Sequence, residues 1–173
     1  GPRCGLAIIS PQLNKREFTQ LEKFCGRKRF GHAFSLGGLY VTTSGTTHTA
    51  QYALAKMLEE STNGNHNFVK ITSEYGKRAN KVSKIFLKYG FKQVYEKDMD
   101  EIVGNGFYLT MSYPNFGGND LMIELMKYGI STITLKSTGS NRHEGLRVCI
   151  SFVSENDMPT LDDKLKIFKE NNS

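Results

Sequence analysis

From residue 68 onward the apolar positions Phe68, Ile71, Tyr75, Ala79, Val82, Phe86 and Tyr89 recur at three- and four-residue steps. That period puts them on one face of a long helix, which Gly90 closes. Lys77, Arg78, Lys81, Lys84 and Lys88 fill its other faces and read as a solvated surface. The pattern then changes. Residues 107–113, bounded by Gly106 and Pro114, read as a strand rich in aromatic residues. Asn119 or Asp120 can cap a helix whose Leu121, Met122, Leu125 and Met126 share a face, and Gly129 ends it. Ile130, Ile133 and Leu135, with Thr132 and Thr134 between them, make a further strand. A polar turn over 137–145 leads to a last strand over 146–153. After the turn at 154–156, Asp157 and Pro159 start a helix with Leu161, Leu165 and Phe168 as its buried stripe. Asp162 and Asp163 come early in it and Lys164, Lys166 and Lys169 later, as the helix dipole favours.

The first third is less periodic. Residues 6–9 form an apolar run suited to a buried strand, and Pro11 opens a helix with Phe18, Leu21, Phe24 and Cys25 on one face before Gly26 stops it. Residues 30–39 contain Gly31, Gly37 and Gly38, keep no clean period, and read as irregular helix or loop. Residues 44–47 are a hydroxyl-rich helix start, followed by an amphipathic face of Ala50, Ala53, Leu54, Met57 and Leu58 and a break at 61–65. His48, with no nucleophile or acid near it in sequence, specifies no chemistry.

Composition narrows the function classes. With 173 residues and 38% hydrophobic content the chain can hold one good core, or a domain and part of another. No apolar run approaches the ~20 residues that cross a bilayer, so no membrane role is expected. Three cysteines, Cys4, Cys25 and Cys149, lack metal-ligand spacing. Cys149 is expected to be a small buried residue of its strand, and a reducing, cytoplasmic setting fits the odd count. The net charge of +6 and a pI near 9.2 raise the question of nucleic acid. The basic residues are dispersed, however, apart from Arg27, Lys28 and Arg29, and no nucleic-acid partner is expected.

Arg147 demands a reason. It opens an apolar strand between Leu146 and Val148, and its guanidinium stays charged. It either pairs with a surface carboxylate or snorkels to water, or it is a bidentate clamp for an anionic ligand.

The succession GFYLTMSYP, LMIELMKYGIST and STGSNRHEGLRVCISF resembles the C-terminal small domain of the fold-type I pyridoxal-phosphate-dependent aminotransferases. In them a strand opening Leu-Arg-Ile/Val carries the arginine that holds the substrate α-carboxylate, which by resemblance is Arg147. The loop at 136–140 lacks that family's usual proline. Near the start, Gly1-x-Arg3-x-Gly5 resembles the element that follows the Schiff-base lysine, where the arginine binds the cofactor phosphate; Arg3 matches it. Residues 44–54 are similar to a segment near the family's dimer interface.

The resemblance implies an α/β fold whose small domain is α+β, with a short mixed or antiparallel sheet packed against helices. Residues 1–62 are then the C-terminal end of the large cofactor-binding domain and 63–173 the small domain. It implies pyridoxal 5'-phosphate as cofactor, amino acids and 2-oxo acids as substrates, and a homodimer. The Schiff-base lysine is expected upstream of Gly1, so that this chain holds no catalytic residue and is inactive alone. A second arginine for a distal carboxylate is not assigned; Arg27, Arg29 and Arg142 are available. The rival expectation is a ferredoxin-like regulatory module that binds a small carboxylate at Arg147 without a cofactor.

Overall fold

A computed structural model describes residues 3–104 and 106–172. Gly1, the first residue of the Gly-x-Arg-x-Gly element, and the neighbouring Pro2 lie outside the described residues. The chain divides into two compact units between Asn67 and Phe68.

In the first unit Ser10 caps α1 (Pro11–Lys15), its hydroxyl accepting from Leu13 N at 3.1 Å. The expected single helix over 11–25 is two. Residues 16–18 turn extended: Phe18 N donates to Lys28 O and Phe30 N to Arg16 O, both at 2.9 Å. The Phe18 ring meets Phe30 edge-on at 5.9 Å. Pairing with the returning chain therefore outweighs helical continuity here. Helix α2 (Thr19–Cys25) ends at Gly26, whose φ of 62° suits the left-handed cap. Next come α3 (Phe30–His32), a π-helical stretch (Ala33–Tyr40) and α4 (Val41–Thr43). A π-helix repeats with neither helical nor strand period, which is why residues 30–39 looked irregular. A Cβ on Gly37 would stand 2.7 Å from Cys25 Sγ, so only glycine allows this approach to α2. Helix α5 (His48–Thr62) buries Ala50 and half-buries Leu54, while Ala53, Met57 and Leu58 remain exposed. The strand expected at 6–9 is coil, exposed except at a half-buried Ile9. A strand needs a ladder partner, and the described residues of this unit offer it no sheet.

The second unit holds the chief core. Helix α6 (Phe68–Lys88) buries Ala79, Val82 and Phe86 as its period requires. Its basic residues are not merely solvated. Arg78 donates to Ser151 O at 2.5 Å, Lys81 pairs with Glu155, and Lys88 pairs with Asp162. The strands β1 (Lys92–Gln93), β4 (Tyr108–Ser112), β5 (Ile133–Thr134) and β6 (Leu146–Cys149) form an antiparallel sheet in the order β1-β4-β6-β5. A separate hairpin joins β2 (Lys97–Asp98) to β3 (Glu101–Ile102). Helix α7 (Gly118–Lys127) connects β4 to β5, with β6 inserted between those two strands. Helix α8 (Met158–Asn171) follows a capping box of Ser154 and Asp157.

Alternation along the strands sorts the two faces. Leu109, Met111, Leu146 and Val148 point inward, onto a core shared with Phe86, Leu121, Leu125, Leu165 and Phe168. Tyr108, Thr110, Arg147 and Cys149 point the other way. The result is mixed α/β, with a small antiparallel sheet against helices, as expected. The strands are shorter than their apolar runs. Cys149, expected to be buried, is exposed, because it shares its face with Arg147 and not with Val148.

Candidate functional site

The outer sheet face is the candidate site. Register places Thr110 of β4 and Ile133 of β5 on either side of Arg147, and Tyr108 opposite Cys149. The Arg147 guanidinium carbon lies over the Tyr108 ring, 4.4 Å from its centroid. Arg147 is half-buried, and among the described residues it has neither a carboxylate within ion-pair reach nor a hydrogen-bond acceptor. Of the sequence expectations for its cationic head, pairing with a surface carboxylate is not found, while a head that reaches water and one that receives an anionic ligand both fit its half-burial. A partly desolvated guanidinium with uncommitted N–H donors suits an anion.

Tyr108 does not stand alone. Its ring meets Phe107 edge-on at 6.5 Å, and Phe107 in turn meets Tyr75 of α6 at 4.7 Å. Beside it opens a cleft of about 360 Å³ whose lining includes Tyr95, Lys97, Asp98, Val103, Tyr108 and Thr110. Tyr95 N donates to Thr110 Oγ1 at 3.1 Å, and Tyr95 Oη and Ser140 Oγ share a hydrogen bond at 2.6 Å.

The other candidate arginines are engaged. Arg142 Nε donates to Glu144 Oε1 at 2.7 Å, and Nη1 to Val94 O at 3.4 Å. Its own backbone amide first, and Arg142 second, hold the Glu144 carboxyl below the usual carboxylate range. Arg27 donates to Gly26 O at 3.2 Å, and Arg29 to Asn14 O at 3.3 Å.

Arg3 lies in the first unit and Arg147 in the second. Arg3 is exposed coil and has no ion pair among the described residues. Next to it, Cys4, Gly5, Leu6, Thr46, Gln51 and Leu54 help line a cleft of about 340 Å³. His48 is the first residue of α5. Among the described residues no cluster of three metal-ligating side chains occurs, and no helix is long and apolar enough to cross a membrane.

Tyr108 is the residue that sequence reasoning missed. The signal was the alternation Tyr108, Thr110, Ser112 against Leu109, Met111, which assigns Tyr108 to the polar face that also carries Arg147. Its cross-strand register with β6, which brings the two together, is a tertiary fact.

No family model matches the chain, and no curated protein matches it by sequence. Solved structures do match. An aspartate aminotransferase from Thermotoga maritima superposes with a TM-score of 0.58 at 17% identity, over 85% of this chain and 35% of that one. A NifS-like protein aligns over 60% of this chain and 30% of its own, with 23% identity and a TM-score of 0.42. The chain thus spans about a third of the aminotransferase structure, and what it shares with that structure is the fold. The likeness takes in more of the chain than the second unit alone can supply.

Proposed function

We propose that this chain is the C-terminal portion of a pyridoxal-phosphate-dependent aminotransferase, in which Arg147 holds the substrate α-carboxylate. Residues 1–62 are the end of the cofactor-binding domain and 63–173 the small domain. The observation that carries the reading is the half-buried, unpaired guanidinium of Arg147 on the outer face of β6. The aminotransferase-like fold supports it.

Arg147 offers its N–H edge to a carboxylate, binding the amino acid or 2-oxo acid and fixing which way it lies. Arg3 suits the cofactor phosphate by its chemistry: an exposed guanidinium with no ion pair of its own among the described residues. It is a single side chain, and a phosphate accepts from several groups around its three oxygens, so the rest of the cradle belongs to the parent protein. Bound there, pyridoxal phosphate supplies an electron sink for charge at the substrate α-carbon. The Schiff-base lysine is assigned upstream of this chain, which is therefore inactive alone. The parent is a cytoplasmic homodimer in this reading.

The sheet order, with β6 between the ends of a β-α-β unit, also suits a ferredoxin-like regulatory module. One experiment separates the two. The parent protein, isolated and reduced with borohydride, is expected to yield a peptide bearing a pyridoxyl-lysine. A parent without such an adduct that still binds carboxylates through Arg147 is the regulatory module.

A further inference from the structure

We infer that Tyr108 is the positioning residue for Arg147: its ring face holds the guanidinium on the outer sheet face with its N–H donors free for a carboxylate. The inference rests on the reading of Arg147 as a carboxylate receptor and adds the residue on which that receptor depends.

A long side chain on a strand has many rotamers, and holding one of them costs conformational entropy at the moment a ligand binds. Arg147 has no hydrogen-bond acceptor among the described residues to hold it beforehand. What it has is the Tyr108 ring, 4.4 Å from guanidinium carbon to centroid. That contact works through the negative face of the π system. An acceptor oxygen would consume N–H donors, and a carboxylate partner would also cancel the charge. The ring does neither, so it orients the cation and leaves both its charge and its fork to a ligand.

The platform is itself fixed. Tyr108 is 49% exposed, yet its backbone sits in the ladder opposite Cys149. Phe107 meets its ring edge-on and leans in turn on Tyr75, whose ring lies 5.7 Å from the Arg78 guanidinium carbon. Arg78 donates to Ser151 O. A chain of ring contacts therefore runs from α6 to Arg147. On the far flank Ile133 directly opposes Arg147 in the register, which places an apolar residue beside its stem. The Tyr108 hydroxyl has no hydrogen-bond partner among the described residues, so the ring is the part that matters.

The test uses the full chain, with succinate as the carboxylate probe and the Arg147 Nε–Hε resonance of the ¹⁵N-labelled protein as the readout. In the parent sequence this resonance is expected to carry a ring-current displacement and to shift saturably with succinate. Tyr108→Phe keeps both. Tyr108→Leu loses the displacement and binds succinate roughly two- to fivefold more weakly, the size of an exposed cation–π contact. Tyr108→Trp, with a larger π face, keeps the displacement and serves as the comparison with Tyr108→Phe if the leucine variant does not fold. Succinate binding is followed in Arg147→Met through the backbone amides of β4 and β6. Unchanged binding there overturns the carboxylate reading itself. Binding lost in Arg147→Met but unchanged in Tyr108→Leu overturns the positioning role and leaves that reading standing. A Tyr108→Phe as weak as Tyr108→Leu also overturns it, by moving the effect to the hydroxyl.

Discussion

Lys88 Nζ lies 2.9 Å from both carboxylate oxygens of Asp162, joining the end of α6 to α8. Tyr89 Oη donates to the same carboxylate at 2.9 Å. Lys88 first, and Tyr89 second, hold the Asp162 carboxyl below its ordinary range. Tyr89 and then Asp162 push Lys88 up to about 12. The signs follow from linkage. Asp162 contributes stability above its ordinary value of 3.8 and loses it as pH falls through the lowered folded value. Lys88 contributes below 10.5 and loses it as pH rises through about 12. The difference in thermal midpoint between the parent chain and Asp162→Asn should therefore be flat from about pH 5 to about pH 10 and shrink outside that window. Lys88 is exposed and Asp162 only half-buried, so the difference should be no more than about 3 °C and should fall with added salt. A difference that grows on acidification contradicts this account.

Phe168 is fully buried and touches four rings, with centroids at 5.4 Å to Phe91, 5.0 Å to Tyr113, 6.2 Å to Phe116 and 5.5 Å to Tyr128. Rings fixed by one another cannot collapse into the space a removed neighbour leaves. Phe168→Ala should cost about 3–5 kcal/mol, measured by urea unfolding followed by tyrosine fluorescence. Phe152 is 94% exposed, and Phe152→Ala should stay within about 0.5 kcal/mol of the parent. Equal effects from the two would contradict the core assignment.

The second unit was legible in the sequence where one face of each element is buried. The α6 period from Tyr75 on, the stop at Gly90 and the stripe of Leu161, Leu165 and Phe168 appear in the structure, because burial enforces the repeat; in the first turns of α6, where burial is slight, Ile71 of the same face lies 54% exposed. Where burial is slight, the pattern misled. Residues 6–9 have strand composition but no ladder partner among the described residues, and Phe24 has the spacing of a buried residue yet lies exposed. Cys149 lies in a run that is almost wholly apolar by composition, which hides which positions face the core. An arginine at 147 already marks the odd positions as the solvent face, which puts Cys149 outside and Leu146, Val148 and Ile150 inside. Arg147 was legible as an oddity; its ring platform depended on register, which no local pattern encodes.

Gly118 opens α7 against the loop that leads into β6. Its amide donates to His143 O at 3.0 Å. A Cβ added there would stand 2.6 Å from His143 O and 2.9 Å from Gly145 O, both backbone atoms that cannot swing aside. Gly118→Ala should cost about 1–3 kcal/mol and speed hydrogen exchange at that amide. Gly117 is the control: its nearest neighbour to an added Cβ is Asp120 Oδ2 at 3.7 Å, an ordinary contact. Gly117→Ala should change little. If both alanines are tolerated alike, the close approach does not govern the loop.

The first unit leaves apolar side chains in solvent along the π-helical stretch and α4: Leu36, Leu39, Tyr40 and Val41 are all exposed, Val41 at 74%. Tyr52 of α5 is exposed as well. Singly, such residues are ordinary, but four within six positions of one helical segment are a patch of the kind that meets another surface. In the proposed parent that surface is the remainder of the cofactor-binding domain. The isolated chain should instead associate with itself, and its weight-average mass in sedimentation should rise with concentration. Apolar association is strengthened rather than screened by salting-out anions, so added sulfate should not dissociate it. Tyr40→Ser and Val41→Ser together should shift the distribution toward monomer. A chain that sediments as a monomer at every accessible concentration shows that this patch does not drive association.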